Sequence, residues 1–122
     1  MRPPLIALAC LCATLGAGGG VARAVAAEAP APSTITLTLK GHRFTPAVFT
    51  VPAGQKVRIA LINQDGATEE FDSHDLRVEQ LVTPNGHASF TIGPLKPGTY
   101  SFMGEFHAET AQGRVTAVEA GR

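Results

Sequence analysis

The sequence is poor in charge, in aromatic residues other than phenylalanine, and in cysteine. It has no tryptophan, one tyrosine and two cysteines in 122 residues. Lys and Arg together number 10, as do Asp and Glu, so the formal net charge is zero. A broad basic face for nucleic acid requires an excess of positive charge, and this class of protein is excluded. Both cysteines lie before residue 13, whereas all six phenylalanines follow residue 40, so two different segments are joined.

The first segment has the pattern of a secretory signal peptide. Arg2 gives a positive start, residues 5–20 carry no charge, and Ala24-Val25-Ala26 is a small-x-small cleavage pattern. Glycines interrupt the apolar run, which falls short of the ~20 residues that a membrane span needs. We expect residues 1–26 to be a cleaved signal peptide and the protein to reach the periplasm. The alternative is a lipoprotein cut before Cys10 or Cys12.

Cleavage after residue 26 or 27 would change the chemistry of the chain. It would remove both cysteines, and loss of Arg2 and Arg23 would leave 8 basic residues against 10 acidic ones. A small exported domain without disulfides must rely on a β core or a bound ion. Residues 27–33, with Pro30 and Pro32, are expected to be a tether, and residues 34–122 to form one domain.

The second segment has the pattern of a small all-β domain. Ile35, Leu37 and Leu39 alternate with threonines, and a second alternation covers residues 57–61, as in half-buried strands. The 13 glycines and 9 prolines, with turns such as Pro84-Asn85-Gly86, break the chain into short segments. These features predict a Greek-key β-sandwich of seven or eight strands. Only residues 72–80 could form a helix of useful length.

Residue types that bind metals are concentrated in two segments, 69–75 and 103–109. Their carboxylates and imidazoles suit iron, copper or zinc. Ser73-His74-Asp75 has the residue types of a hydrolytic triad, but adjacent residues cannot converge as a triad does. The alternative for residues 69–75 is a solvated acidic loop without a metal. The alternative for residues 103–109 is a strand end with alternate residues exposed. His42 and His87 lie in turn segments and are expected at the surface.

Several motifs resemble those of cupredoxins across nearly the whole second segment. They are Val51-Pro52-Ala53-Gly54, Leu61-Ile62-Asn63, Gly93-Pro94-Leu95-Lys96-Pro97-Gly98-Thr99-Tyr100-Ser101-Phe102 and His107. The runs at residues 69–73, 104–107 and 110–114 are similar to those of the EfeO-type cupredoxin-like family. These are small periplasmic proteins or domains associated with bacterial iron uptake, and some occur beside ferrous-iron permeases.

The sequence departs from blue-copper cupredoxins at three of the four ligand positions. Blue-copper sites use two His, one Cys thiolate and a weak axial Met. The resemblance implies that Glu70, or alternatively Glu69, takes the place of the first His. Gly104 takes the place of the Cys, and the segment before Gly113 offers no Met. His107 is retained as the second His.

The resemblance therefore implies a metal site without thiolate. The expected ligands are Glu70, Glu105 and His107, with Met103 and Glu109 as further donors. Such a site favours Cu(II) or iron over Cu(I), because its donors are hard. If the metal site lies elsewhere, His42 and His74 are the alternative ligands.

The sequence alone is compatible with three functions. The first is a periplasmic protein that binds copper or iron and assists ferrous-iron uptake, with an inner-membrane iron permease or another iron-uptake protein as partner. The second is a metal-free β-sandwich that docks on a transporter or partner protein. The third is an oxidase acting on Fe(II), which would need turnover as well as binding.

Overall fold

The computed structural model describes residues 18–20 and 32–120, and nearly all of residues 32–120 belong to strands and tight turns. The expected signal peptide apart from residues 18–20, and the expected tether as far as residue 31, lie outside the described residues. The nine strands are β1 (Ser33–Lys40), β2 (Arg43–Thr45), β3 (Val48–Pro52), β4 (Val57–Asn63), β5 (Glu69–Ser73), β6 (Val78–Val82), β7 (His87–Ile92), β8 (Gly98–Gly104) and β9 (Gln112–Val118).

The strands form the two sheets of a β-sandwich. One sheet has the order β2-β1-β4-β7, and the other has the order β3-β9-β8-β5-β6. Two of the pairings are parallel, β1 with β4 and β3 with β9, and the others are antiparallel. The chain passes to the second sheet after β2 and returns to the first after β3, so β3 pairs with β9, a strand distant in sequence. This confirms the predicted cupredoxin-like sandwich, with nine strands rather than seven or eight.

The core lies between the inward faces of the two sheets. The alternation seen in the sequence puts Leu37 and Leu39 of β1, with Ile59 and Leu61 of β4, fully inside. Phenylalanines fill the middle of the sandwich. The rings of Phe71 and Phe102 stack with centroids 4.8 Å apart, and Phe44 packs edge-on to both rings. These contacts fix β5 against β8 and so position the start of β5 beside the loop that follows β8.

The segment at residues 72–80 is a hairpin and not a helix. β5 ends at Ser73, a four-residue turn follows, and β6 begins at Val78. Arg77 has a φ of 57°, a left-handed backbone conformation that interrupts any helix. The only helical turn among residues 32–120 is a 3₁₀ turn at Glu105–His107. No helix in the described part of the chain is long and apolar enough to cross a membrane.

Three loops meet at one end of the sandwich. They are the β1–β2 turn, the β4–β5 loop at residues 64–68, and the β8–β9 loop at residues 105–111. The β1–β2 turn belongs to the first sheet and the β8–β9 loop to the second. Side chains from all three loops or their flanking strands contact one another there.

Candidate metal centre

The centre of this end of the sandwich is the carboxylate of Glu69, which is 1% exposed. Glu69 is the first residue of β5 and shares the inward face of the strand with Phe71. Its Oε1 accepts hydrogen bonds from the backbone N–H of Phe106 (2.9 Å) and from that of Glu70 (3.0 Å). Its Oε2 lies 2.5 Å from Nδ1 of His107. Burial of a carboxylate is costly unless it is paired, and here two backbone N–H groups and an imidazole nitrogen contact its oxygens.

His107 is held by its own loop at the mouth of the sandwich. It ends the 3₁₀ turn, and its carbonyl accepts hydrogen bonds from the backbone N–H groups of Thr110 and Ala111. The base of the loop is closed by the N–H of Gly104, which donates to the carbonyl of Ala111 at 2.7 Å. The imidazole is 30% exposed, so one edge faces Glu69 and another faces solvent.

His42 places a second imidazole directly on the first. The rings of His42 and His107 stack with centroids 3.5 Å apart and planes 11° from parallel. His42 lies in the two-residue turn between β1 and β2, where it has a φ of 55°. Its side chain is 42% exposed. His42 therefore lies in a turn, as its sequence position predicted. Its ring is only partly exposed, because it covers the ring of His107.

His42, Glu69 and His107 together could hold a metal ion. One ligand atom from each residue lies within 4.8 Å of the others. To bind a single ion at the usual distance of ~2.0–2.2 Å, the two stacked rings would have to turn so that both nitrogens face it. Two imidazole nitrogens and one carboxylate oxygen suit Cu(II), iron or zinc. A blue-copper centre does not fit, because residues 32–120 contain no cysteine to supply a thiolate.

The structure separates Glu70 from this cluster. Glu70 follows Glu69 in β5 and so lies on the opposite face of the strand, half-buried. Partial burial, followed by the negative charges of Glu105, Glu79 and Asp72, raises the pKa of Glu70 above its usual value. Its charged neighbours are acidic, whereas Glu69 faces an imidazole.

The other expected ligands lie around the cluster. Glu105 is exposed in the 3₁₀ turn, on the side of Glu70. Met103 is 41% exposed on the outer face of β8 and lines a surface depression with Val48 and Arg114. His74 is exposed in the β5–β6 turn. Of the ligands expected from the sequence, the structure thus brings His107 into the cluster, together with Glu69, the alternative to Glu70.

Two of the clustered residues had weaker signals in the sequence. Phe71 must be buried, and the two-residue period of a strand then puts Glu69 on the inward face and Glu70 on the other. That alternation could have shown that Glu69, and not Glu70, is the glutamate that faces the interior. For His42 the available signal was its place in a two-residue turn between strands, where Gly or Asn is preferred over His. Its contact with His107 depends on how distant strands assemble, which no local pattern shows.

Comparison with known proteins agrees with this fold. The chain matches the cupredoxin-like domain family over residues 5–117, and it belongs to that family. A curated relative is an uncharacterised protein of Rickettsia prowazekii (strain Madrid E), 44% identical over 75 residues. That match covers 62% of this chain and 60% of the relative, so the chain spans less than two thirds of the relative's length.

Solved structures with the same fold include copper proteins. Auracyanin A, a "blue" copper protein of Chloroflexus aurantiacus, has a TM-score of 0.62 and 18% identity, covering 72% of this chain and 100% of its own. The metal-binding domain of the Cu(I)-exporting P-type ATPase of Streptococcus pneumoniae D39, solved with Cu(I), has a TM-score of 0.61 and 15% identity. The match covers 70% of this chain and 85% of that domain. At these identities the similarity establishes the fold.

Proposed function

We propose that this protein binds one copper or iron ion through His42, Glu69 and His107. The observation that carries the proposal is the convergence of these three donors, within 4.8 Å, from three separate segments of the chain. A buried carboxylate on one side and two partly exposed imidazoles on the other give an ion both a charged base and access from solvent.

The donor set favours the higher oxidation state of either metal. A carboxylate and two imidazoles are harder ligands than a thiolate, and the negative charge of Glu69 stabilises Cu(II) or Fe(III) more than Cu(I) or Fe(II). This supports a role in handling or oxidising ferrous iron on its way into the cell. The partner in that role is an inner-membrane iron permease or another periplasmic iron-uptake protein. The structural similarity to copper proteins supports copper as the resident ion.

Thermal unfolding with and without metal tests the site. An ion that binds only the folded chain stabilises it by about 2.7 kcal/mol at a hundredfold excess over Kd. We expect Cu(II) or iron to raise the Tm of the wild type, and His107→Ala and Glu69→Gln each to lose most of that rise. Glu70→Gln is the matched control, because it changes the adjacent glutamate on the opposite face of β5.

The outcomes of this experiment distinguish between the alternative ligands and functions. A metal shift lost in Glu70→Gln and kept in Glu69→Gln would move the carboxylate ligand to Glu70, as in the set Glu70, Glu105, His107 and Met103 expected from the sequence. A wild type that shows no shift with any metal would overturn metal binding and leave the metal-free interaction module. Catalytic consumption of O₂ with Fe(II) would make the protein an oxidase, whereas binding without turnover would not.

Export to the periplasm belongs to the same proposal. Its support is the pattern of residues 1–26, with the uncharged run and Ala24-Val25-Ala26. Intact mass of protein recovered from the periplasm should show cleavage after residue 26 or 27. A product that keeps Cys10 or Cys12, or that carries lipid, would contradict the cleavage site and restore a thiol to the exported chain.

A further inference from the structure

The turn that carries His42 has a backbone conformation that most residues avoid. Gly41 has a φ of 60° and His42 a φ of 55°, and Lys40 pairs with Arg43 across the turn. Two positive φ angles define the type I′ turn, in which Gly and Asn are preferred at both positions. A histidine can adopt this conformation, but at a cost that the surroundings must offset.

Asp65 supplies the contacts that offset this cost. Its Oδ1 accepts a hydrogen bond from the backbone N–H of Gly41 at 2.8 Å, and its Oδ2 accepts one from the N–H of His42 at 2.9 Å. The same Oδ2 lies 3.6 Å from Nδ1 of His42, which is an electrostatic contact rather than a hydrogen bond. Both N–H groups at the tip of the turn are thus bound by one carboxylate from another loop.

Asp65 is itself fixed from the protein interior. Its backbone N–H donates to Oδ1 of Asn63, a side chain that is 1% exposed, and its carbonyl accepts from the N–H of Asn85. The amide of Asn63 also donates to the carbonyls of Ala67 and Thr83. These bonds hold the β4–β5 loop in one shape, so the carboxylate of Asp65 has a defined position relative to Glu69, which follows the loop.

We infer that Asp65 is a positioning residue of the metal site, which holds the β1–β2 turn so that His42 lies over His107 and can act as a ligand. This rests on the proposed function, because it assigns Asp65 a role through His42. Asp65 makes no hydrogen bond to Glu69 or His107, and its charge reaches His107 only through space. We expect the larger part of its effect on an ion to pass through the turn, so removal of its carboxylate should matter most while residue 42 is a histidine.

The test is a double-mutant cycle on Cu(II) affinity, measured by competition with a chromophoric chelator. Loss of a residue that orients a ligand costs about 10- to 100-fold in metal affinity, and we expect this from Asp65→Ala. His42→Ala should weaken binding at least as much, and the double variant only slightly more than His42→Ala alone, by the through-space effect of the lost charge. Nitrogen hyperfine structure in the EPR spectrum of bound Cu(II) should fall from two coupled imidazoles to one in both single variants.

Asp75→Ala is the matched control. Asp75 also accepts a backbone N–H, from Ser101 at 3.0 Å, but it contacts no residue of the cluster. This variant should lower stability and leave Cu(II) affinity and the EPR spectrum unchanged. If Asp65→Ala fails to fold, Asp65→Asn, which keeps one acceptor oxygen, should show a smaller loss in the same direction.

The failures of the two proposals are distinguishable. One result would overturn the role of Asp65 and leave the site intact. In it, Asp65→Ala keeps the wild-type Cu(II) affinity and two coupled nitrogens, whereas His42→Ala loses affinity and one coupled nitrogen. An equal loss from Asp65→Ala in the wild-type and His42→Ala backgrounds would also overturn it, because the effect would not pass through His42. A wild type that binds no Cu(II) and no iron would overturn the site and the role of Asp65 together.

Discussion

The carboxylate of Glu69 occupies the space that a side chain at Gly104 would need. A Cβ at residue 104 would lie 2.8 Å from Cδ of Glu69 and 2.8 Å from Cβ of Ala111, closer than such atoms approach in proteins. Residue 104 has an ordinary extended backbone, with a φ of −88°. The glycine is therefore required by space and not by backbone conformation, and its absent side chain is what lets a glutamate be buried beside His107.

Gly104→Ala should consequently damage both the fold and the site. Overpacking of this kind costs about 1–3 kcal/mol, and the groups that must move are the carboxylate of Glu69 and the methyl group of Ala111. We expect a lower urea midpoint and a loss of the metal-induced rise in Tm. Gly66→Ala is the control, since a Cβ there meets nothing within 4 Å and should leave both quantities unchanged. Normal metal binding by Gly104→Ala would contradict the assignment of Glu69 as a ligand.

Cu(II) added to the protein without residues 1–26 should give no intense blue colour. The strong visible band of blue-copper sites comes from charge transfer between thiolate and copper, and residues 32–120 contain no cysteine. We expect only weak ligand-field absorption, recorded against a blue-copper protein such as auracyanin A at equal copper concentration. An equally intense band would contradict this expectation, because the chain without Cys10 and Cys12 has no thiolate to produce it.

Acid should remove the contribution of Asp75 to stability. The backbone N–H of Ser101, and then its hydroxyl, donate to Oδ2 of Asp75 and hold its pKa below the usual value. A carboxyl whose pKa is lower in the folded chain stabilises the fold above its unfolded pKa of about 3.9, and this is lost as the pH falls through the folded value.

Urea unfolding of the metal-free protein from pH 7 to pH 2 measures this contribution. Asp75→Ala should be less stable than wild type at pH 6, and the two midpoints should converge as the pH falls through the lowered folded-state pKa of Asp75, because the carboxyl is then protonated in both the folded and the unfolded chain. Ser101→Ala, which keeps the backbone donor, should give a smaller difference at pH 6. A difference between wild type and Asp75→Ala that stays constant with pH would show that packing, and not the carboxylate, is responsible.

The fold was accessible from the sequence because its signals are local. Alternation in β1 and β4 and the glycine and proline turns predicted a sandwich, which the structure confirms. β2 is harder to find, because it has three residues, Arg43–Thr45, and its first residue reads as part of the preceding turn. Residues 72–80 were ambiguous for a similar reason: the turn between β5 and β6 is defined by the left-handed conformation of Arg77, which the residue type does not reveal.

The candidate site was less accessible because it is assembled over long distances in sequence. Adjacent glutamates in a strand face opposite ways, so a shift of one residue exchanges an inward carboxylate for an outward one. His42 and His107 are separated by most of the domain, and their contact follows from the packing of one sheet on the other, since β1 and β2 lie in the first and β8 in the second. The sequence indicated the kinds of donor, and the packing of the two sheets decides which of them meet.

The origin of the three donors also bears on how the sandwich holds together. His42 comes from the sheet of β1 and β2, whereas Glu69 and His107 come from the sheet of β5 and β8. An ion bound to all three would be a cross-link between the layers, at a place where a cysteine-free domain has no covalent one. Removal of the ion would let the layers separate from this end first, so amide exchange in the β1–β2 turn would report metal occupancy before the rest of the sandwich responds.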